Sequence, residues 1–102
     1  MELSIIVPCY NEDKTLEEFH NLIVNALKRE KITYELIMVD DGSYDATMER
    51  LQDISKIDKH VKVISFSRNF GKESAMLAGL EHASGKYVAI MDADLQHTPE
   101  VL

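Results

Sequence analysis

Two carboxylates stand one residue apart, Asp92 and Asp94, directly after the apolar run Tyr87–Met91, and the amide Gln96 follows two residues on. Carboxylate and amide oxygens are hard ligands, and magnesium or manganese takes one or two protein carboxylates together with phosphate oxygens. Side chains at i and i+2 of an extended segment point to the same side, so Asp92 and Asp94 can address one ion. A solvated strand end is the bland alternative, and for an isolated Asp-x-Asp it would be the better reading. Two further acidic stretches change the weighing: Pro8-Cys-Tyr-Asn-Glu12 and Asp40-Asp41-Gly42-Ser43, each also placed just after an apolar run.

Such a set of acids selects its ligand. Two unit charges at 4 Å interact by roughly 4 kcal/mol at an effective dielectric of 20, so a bare diphosphate would be repelled. A divalent cation reverses the sign, and a metal–diphosphate complex becomes the natural occupant. The first strand–helix turn has no Gly-x-Gly-x-x-Gly, which disfavours a dinucleotide dehydrogenase, and there is no Walker lysine loop. A sugar nucleotidyltransferase, which opens with a glycine-rich phosphate loop, is disfavoured because Pro8–Glu12 contains no glycine.

The elements that must position these residues alternate. Leu3–Val7 reads as a strand apolar on both faces, the mark of a buried parallel strand, and is closed by Pro8. A helix is predicted from Lys14 to about Glu30, its stripe carried by Leu16, Phe19, Ile23 and Leu27. Strand Tyr34–Val39 follows, then a turn at Gly42 with Ser43 or Asp45 as a cap. A second helix, from about Ala46 to Asp58, is expected to face Met48, Leu51, Ile54 and Ile57 inward. After strand Val61–Phe66, a third helix runs to about Ser84 on a stripe of Met76, Leu80 and Ala83. Gly79 inside it implies close packing on the sheet, and Gly85 is the expected stop. Tyr87–Met91 is read as a buried fourth strand, and Thr98-Pro99-Glu100 as the start of another helix. Right-handed βαβ units then give an α/β, mostly parallel sheet with helices on both faces. The expected strand order is 3-2-1-4. Ligands bind such sheets beyond the carboxyl ends of the strands, where the order reverses, so the three acidic loops should meet in one crevice.

Composition sets the remaining bounds. The 102 residues are 45% hydrophobic and 28% charged, ordinary for one globular domain, and the net charge of −7 argues against nucleic acid as a partner. Cys9 is the single cysteine, which rules out a disulfide or a cysteine zinc cluster within one chain. The four histidines show no ligand spacing, and only His97 sits near the acidic array. No apolar run approaches a membrane span and the N-terminus has no export signal, so a cytoplasmic location is expected.

Taken together, Val7-Pro-Cys-Tyr-Asn-Glu12, Val39-Asp-Asp-Gly-Ser-Tyr-Asp45, Ser67-Arg-Asn-Phe-Gly-Lys-Glu73, Ala78-Gly-Leu80 and Met91-Asp-Ala-Asp-Leu-Gln96 resemble the family 2 inverting glycosyltransferases of the GT-A fold. The nearest branch is that of polyprenyl-phosphate enzymes, the dolichyl-phosphate mannosyltransferases and bactoprenol glucosyltransferases. Two departures are visible: Thr98 stands where that branch often has proline, and Cys9 fills a variable position. The resemblance implies that residues 1–102 are the Rossmann-like, nucleotide-sugar-binding N-terminal part of a GT-A domain, cut short after the Asp-x-Asp pair. It implies that Pro8, Tyr10 and Glu12 line base and ribose, that Asp40 hydrogen-bonds the base with Asp41 supporting the loop, and that Arg68 and Lys72 reach the nucleotide or its phosphates. Asp92 would approach the ribose or the metal, with Asp94 and Gln96 holding Mg2+ or Mn2+ on the diphosphate. The donor would be of the UDP-glucose or GDP-mannose type and the acceptor a lipid phosphate, at the cytoplasmic face of a membrane in the full protein. The catalytic base and acceptor site are expected beyond Leu102. The rival reading is a noncatalytic nucleotide-binding or self-associating module, pairing through an exposed sheet edge.

Overall fold

A computed structural model describes residues 1–93 of the chain. Four parallel strands form one sheet: β1 (Leu3–Cys9), β2 (Tyr34–Asp40), β3 (Val61–Ser65) and β4 (Tyr87–Ile90), in the order β3-β2-β1-β4. Three helices connect them, α1 (Leu16–Arg29), α2 (Thr47–Ile57) and α3 (Lys72–His82). The order is the expected one, with the reversal between β1 and β4.

β1 and β2 are central and read as near-continuous apolar runs because both of their faces are covered. On one face α1 and α2 pack Leu16, Phe19, Ile23, Leu51 and Ile54 against Ile5, Val7, Leu36 and Met38. All of the predicted α1 stripe is buried. Full burial of side chains of this size contributes about 1.5–3 kcal/mol each. On the other face α3 lies over β1 and β2, where Ala75 joins Ile37 and Val39.

The sheet corrects the inward faces predicted for two helices. In α3 the buried positions are Ala75 and Gly79, while Leu77 and Leu80 of the same helix are 61% and 44% exposed. The helix sits so close that a Cβ on Gly79 would lie 2.4 Å from Cγ2 of Ile6. Close approach therefore selects small residues for the contact line and moves the larger apolar ones to its flanks. Ile57, the last residue of α2, is 79% exposed because the chain leaves the helix there. β4 also departs from expectation: Tyr87, Val88 and Ile90 are exposed, since β4 is the edge strand and α3 packs on β1 and β2 rather than on it.

At the amino edge of the sheet, buried Glu35 ties β2 to the α3–β4 connection. Its carboxylate accepts hydrogen bonds from Ser4 Oγ and from Ser84 N–H and Oγ, and it pairs with Lys62 Nζ at 2.7 Å. Burial pushes the Glu35 carboxyl up, but the bonds from Lys62, Ser4 and Ser84 outweigh it and bring the pKa down to about 2. A folded-state pKa below the ordinary 4.5 means that the unfolded chain binds more protons across the interval. The stabilisation is thus complete above about pH 4.5 and is lost as pH falls toward 2. Denaturant unfolding at several pH values should show this decline, and Glu35→Gln should flatten it while lowering stability at pH 7.

Candidate functional site

The carboxyl ends of β1, β2 and β4 open onto one edge, and the loops there are bolted to one another rather than free. Asn11, held at φ 54, donates its N–H to Ser43 Oγ at 2.9 Å and accepts the Tyr44 N–H on Oδ1 at 3.1 Å. Glu12 N–H donates to Thr47 Oγ1 at 2.8 Å, and Ala46 N–H to Asp13. Asp45 accepts from the Thr47 N–H and hydroxyl, so it closes the start of α2 as expected. Burial opposes ionisation of Asp45, but those bonds and the Asp13 N–H hold its pKa below the usual carboxylate value. Tyr10 and Tyr44 meet edge to face, ring centroids 6.2 Å apart.

Asp40 and Asp41 are both buried and have different partners. Asp40 Oδ1 accepts the Ser43 N–H at 3.2 Å, within its own loop. Asp41 reaches across to the β3–α3 loop and accepts from the N–H groups of Phe70 and Gly71 at 2.8 and 3.1 Å and from Asn69 Nδ2 at 3.1 Å. Lys72 follows this loop as the first residue of α3, and its Nζ lies 2.7 Å from Asp92 Oδ1. Both partners are partly exposed, so this pair matters more for orientation than for stability.

A cavity of about 300 Å³ lies between these loops, lined by Pro8, Cys9, Tyr10, Glu12, Asp41, Lys72 and Asp92. Six of the residues singled out in the sequence thus come together from four separate segments. Asp40 sits at the same edge, turned to Ser43 rather than onto the cavity wall. Arg68 is not on that wall: its guanidinium stacks 4.8 Å from the centroid of Phe70. Asp94 and Gln96, expected metal ligands, and His97 lie outside the described residues, as does the helix start at Thr98. Among the described residues, Asp92 places a hard oxygen donor on the cavity wall, which suits a divalent cation, but no group of three or more acidic, histidine or cysteine side chains is poised around one. Burial, reinforced by Glu12 and Asp40, pushes the Cys9 thiol far up, so it is no nucleophile.

Two site residues escaped the sequence reading. Thr15 donates its hydroxyl to the Ala93 carbonyl at 2.8 Å, tying the start of α1 to the loop after β4. Thr47, fully buried, receives the Glu12 N–H. Neither has a local signal, since their partners are 78 and 35 residues away.

A larger cavity, about 530 Å³, opens at the opposite edge beside His20, Tyr34, Lys56 and Asp58. Its carboxylate is already engaged, since Asp58 accepts from His20, Tyr34 and the His60 N–H. Lys28 and Lys56 there complement the carboxyl ends of α1 and α2, an ordinary structural role.

The glycosyl transferase family 2 model matches residues 4–102. The chain is 45% identical over 102 residues to a dolichol-phosphate mannosyltransferase of Pyrococcus furiosus, covering all of this chain and 28% of the relative. It is 38% identical over 102 residues to the bactoprenol glucosyl transferase of Shigella phage SfV, covering 33% of that protein. Among solved structures, the mannosyltransferase PcManGT of Pyrobaculum calidifontis, in complex with GDP-Man and Mn2+, superposes with a TM-score of 0.79 at 29% identity, over 91% of this chain and 27% of its own. S. aureus TarS in complex with UDP gives a TM-score of 0.73 at 28% identity, over 92% of this chain and 28% of its own. The chain therefore spans about a third of the length of the curated relatives it matches.

Replacing Thr47 by Val should leave the Glu12 N–H without its partner. The expected cost is about 1–3 kcal/mol in chemical denaturation, with faster amide exchange at Glu12.

Proposed function

This chain belongs to glycosyl transferase family 2, with the Rossmann-like GT-A arrangement of its structural neighbours, and we propose that it is the donor-binding part of an inverting transferase that moves a sugar from a nucleotide sugar to a polyprenyl phosphate. The observation that carries this reading is the gathering of Pro8, Tyr10, Glu12, Asp41, Lys72 and Asp92 around one cavity at the reversal point of the sheet. A nucleotide sugar, GDP-mannose or UDP-glucose in type, fits that chemistry, and the neighbours in complex with GDP-Man and with UDP support it.

In this reading Pro8 and Tyr10 give the base an apolar and aromatic wall, and Glu12 faces the ribose. Asp40 contributes a base contact after turning away from Ser43. Asp92, with Asp94 and Gln96, would hold Mg2+ or Mn2+. The ion supplies charge neutralisation for the departing diphosphate as a Lewis acid. Lys72 adds a second positive charge beside Asp92, suited to the same phosphates, whereas Arg68, stacked on Phe70, would have to swing away from that ring to reach them. In-line displacement at the anomeric carbon by a lipid phosphate needs little proton removal, because a phosphate is already ionised near neutral pH. The names of the dolichol-phosphate and bactoprenol relatives support that acceptor and a place at the membrane face. No helix among the described residues is long and apolar enough to cross a membrane.

Calorimetry with GDP-mannose and UDP-glucose in Mn2+ or Mg2+ should give metal-dependent binding of one of them. Asp92→Asn should weaken it roughly tenfold or more, the scale of a lost charge-assisted contact. No sugar transfer is expected from the 102 residues alone. Absence of binding by both donors would overturn the assignment, and robust turnover by this chain would overturn the expectation that it is inactive alone.

The exposed apolar side chains of edge strand β4 favour a second property, self-association of the 102-residue chain through that edge. Light scattering should then show a dimer, weakened by Val88→Lys, and a monomer at all concentrations would dismiss it.

A further inference from the structure

We propose that Thr15 is a positioning residue for the loop after β4: by holding the Ala93 carbonyl, its hydroxyl fixes where Asp92 presents a carboxylate to a divalent cation. The inference rests on the nucleotide-sugar reading above, in which Asp92 helps to hold the ion. Thr15 stands at the N-cap of α1, where a threonine side chain ordinarily accepts an N–H from the first turn of its own helix. Here it makes no such bond. Its hydroxyl has one proton to donate. The Ala93 carbonyl lies nearest at 2.8 Å, against 3.3 Å for the Glu12 carbonyl and 3.4 Å for Glu12 Oε2. Glu17 and Glu18, acidic residues of the first turn, complement the helix start instead. A side chain suited to capping is thus turned from its helix to a carbonyl 78 residues away.

Both ends of this tie are anchored. Thr15 donates its N–H to the Glu12 carbonyl at 3.1 Å and accepts the Phe19 N–H at 2.9 Å, and Leu16 and Phe19 are fully buried. Across the gap, Met91 donates its N–H to the Ile6 carbonyl at 3.0 Å. Met91 and Ala93 both belong to the core cluster that holds Leu16 and Phe19. Asp92 lies between these two buried residues, with its own side chain 38% exposed on the cavity wall. The segment is therefore pinned before Asp92 by Ile6 and after it by Thr15. The Ala93 side chain has no polar group, so backbone bonds must set its place. A ligand has to be held to within about 0.5 Å of its productive position. Lys72, the ion-pair partner of Asp92, is a long and flexible side chain and does not supply that precision alone.

Mn2+ would be titrated against the chain at a fixed concentration of GDP or UDP, whichever binds, with free Mn2+ read by electron paramagnetic resonance. Thr15→Val removes the hydroxyl at nearly the same volume and should weaken Mn2+ binding roughly tenfold, the lower end for groups that orient metal ligands. Thr15→Ser keeps the donor and should stay within about twofold of the unsubstituted chain, since the same hydrogen bond can form. With EDTA in place of the metal, calorimetry should show no difference in diphosphate binding between Thr15→Val and the unsubstituted chain. Should a thermal melt show Thr15→Val unfolded, Thr15→Ala, with its better helix former, takes its place with the same expected loss. Unchanged Mn2+ affinity in the folded variant, Thr15→Ser as weak as Thr15→Val, or a loss of equal size with and without metal overturns the inference alone. If neither diphosphate binds the unsubstituted chain in Mn2+, the nucleotide-sugar reading falls and carries this one with it.

Discussion

Carboxylates gathered at one edge of a sheet repel one another, and this edge holds together because the acids between β2 and α2 have donors of their own. Asp40 has the Ser43 N–H, Asp45 the N–H and hydroxyl of Thr47, and Asp41 the N–H groups of Phe70 and Gly71 with the Asn69 amide. Like charges a few ångströms apart cost several kcal/mol when poorly screened, and buried unpartnered ones cost more. Backbone N–H groups are well suited to offset this, since they are fixed in place and add no mobile counter-charge that a ligand would have to displace. The acids thereby bind the loops together as well as lining a cavity.

The parallel sheet explains why those loops meet. β1 and β2 run side by side in register from Leu3 and Tyr34 to Cys9 and Asp40, so their following loops leave from the same level. β4 pairs on the other side of β1, which brings Asp92 to that level from a point 52 residues beyond Asp40 in the chain. α3 crosses behind, close enough for Gly79 to touch Ile6, and its first turn delivers Lys72 to the same place. The rigid two-sided core under β1 and β2 is what gives the loops a common base.

The opposite edge shows the same economy in a structural role. Glu35 gathers Ser4, Lys62 and Ser84, and Asp58 gathers His20, Tyr34 and His60. Burial acts to raise both carboxyls, but hydrogen bonds prevail and lower them. Carboxylates so fully engaged tie elements together and leave little for a ligand. Asp92 differs, being half-open on a cavity wall with a single lysine against it.

Along the chain, much of this could be read directly. The both-face apolar runs of β1 and β2, the stripe of α1, the Gly42 turn and the strand order follow from periodicity and from the handedness of βαβ units, which are local or topological properties. So did the placement of acids at strand ends, and with it the family resemblance that the comparisons bear out. Three things could not be read. Close packing at Gly79 was expected, but that Ala75 and not Leu80 shares the inward face of α3 is decided only by the distance between helix and sheet. The expected order already put β4 at the edge, but its exposure depended on α3 packing over β1 and β2. The partners of Thr15, Thr47 and Asp41 were chosen by contacts between segments 28 to 78 residues apart. Residue type tells which groups can donate and accept; folding in three dimensions alone brings a particular donor to a particular acceptor.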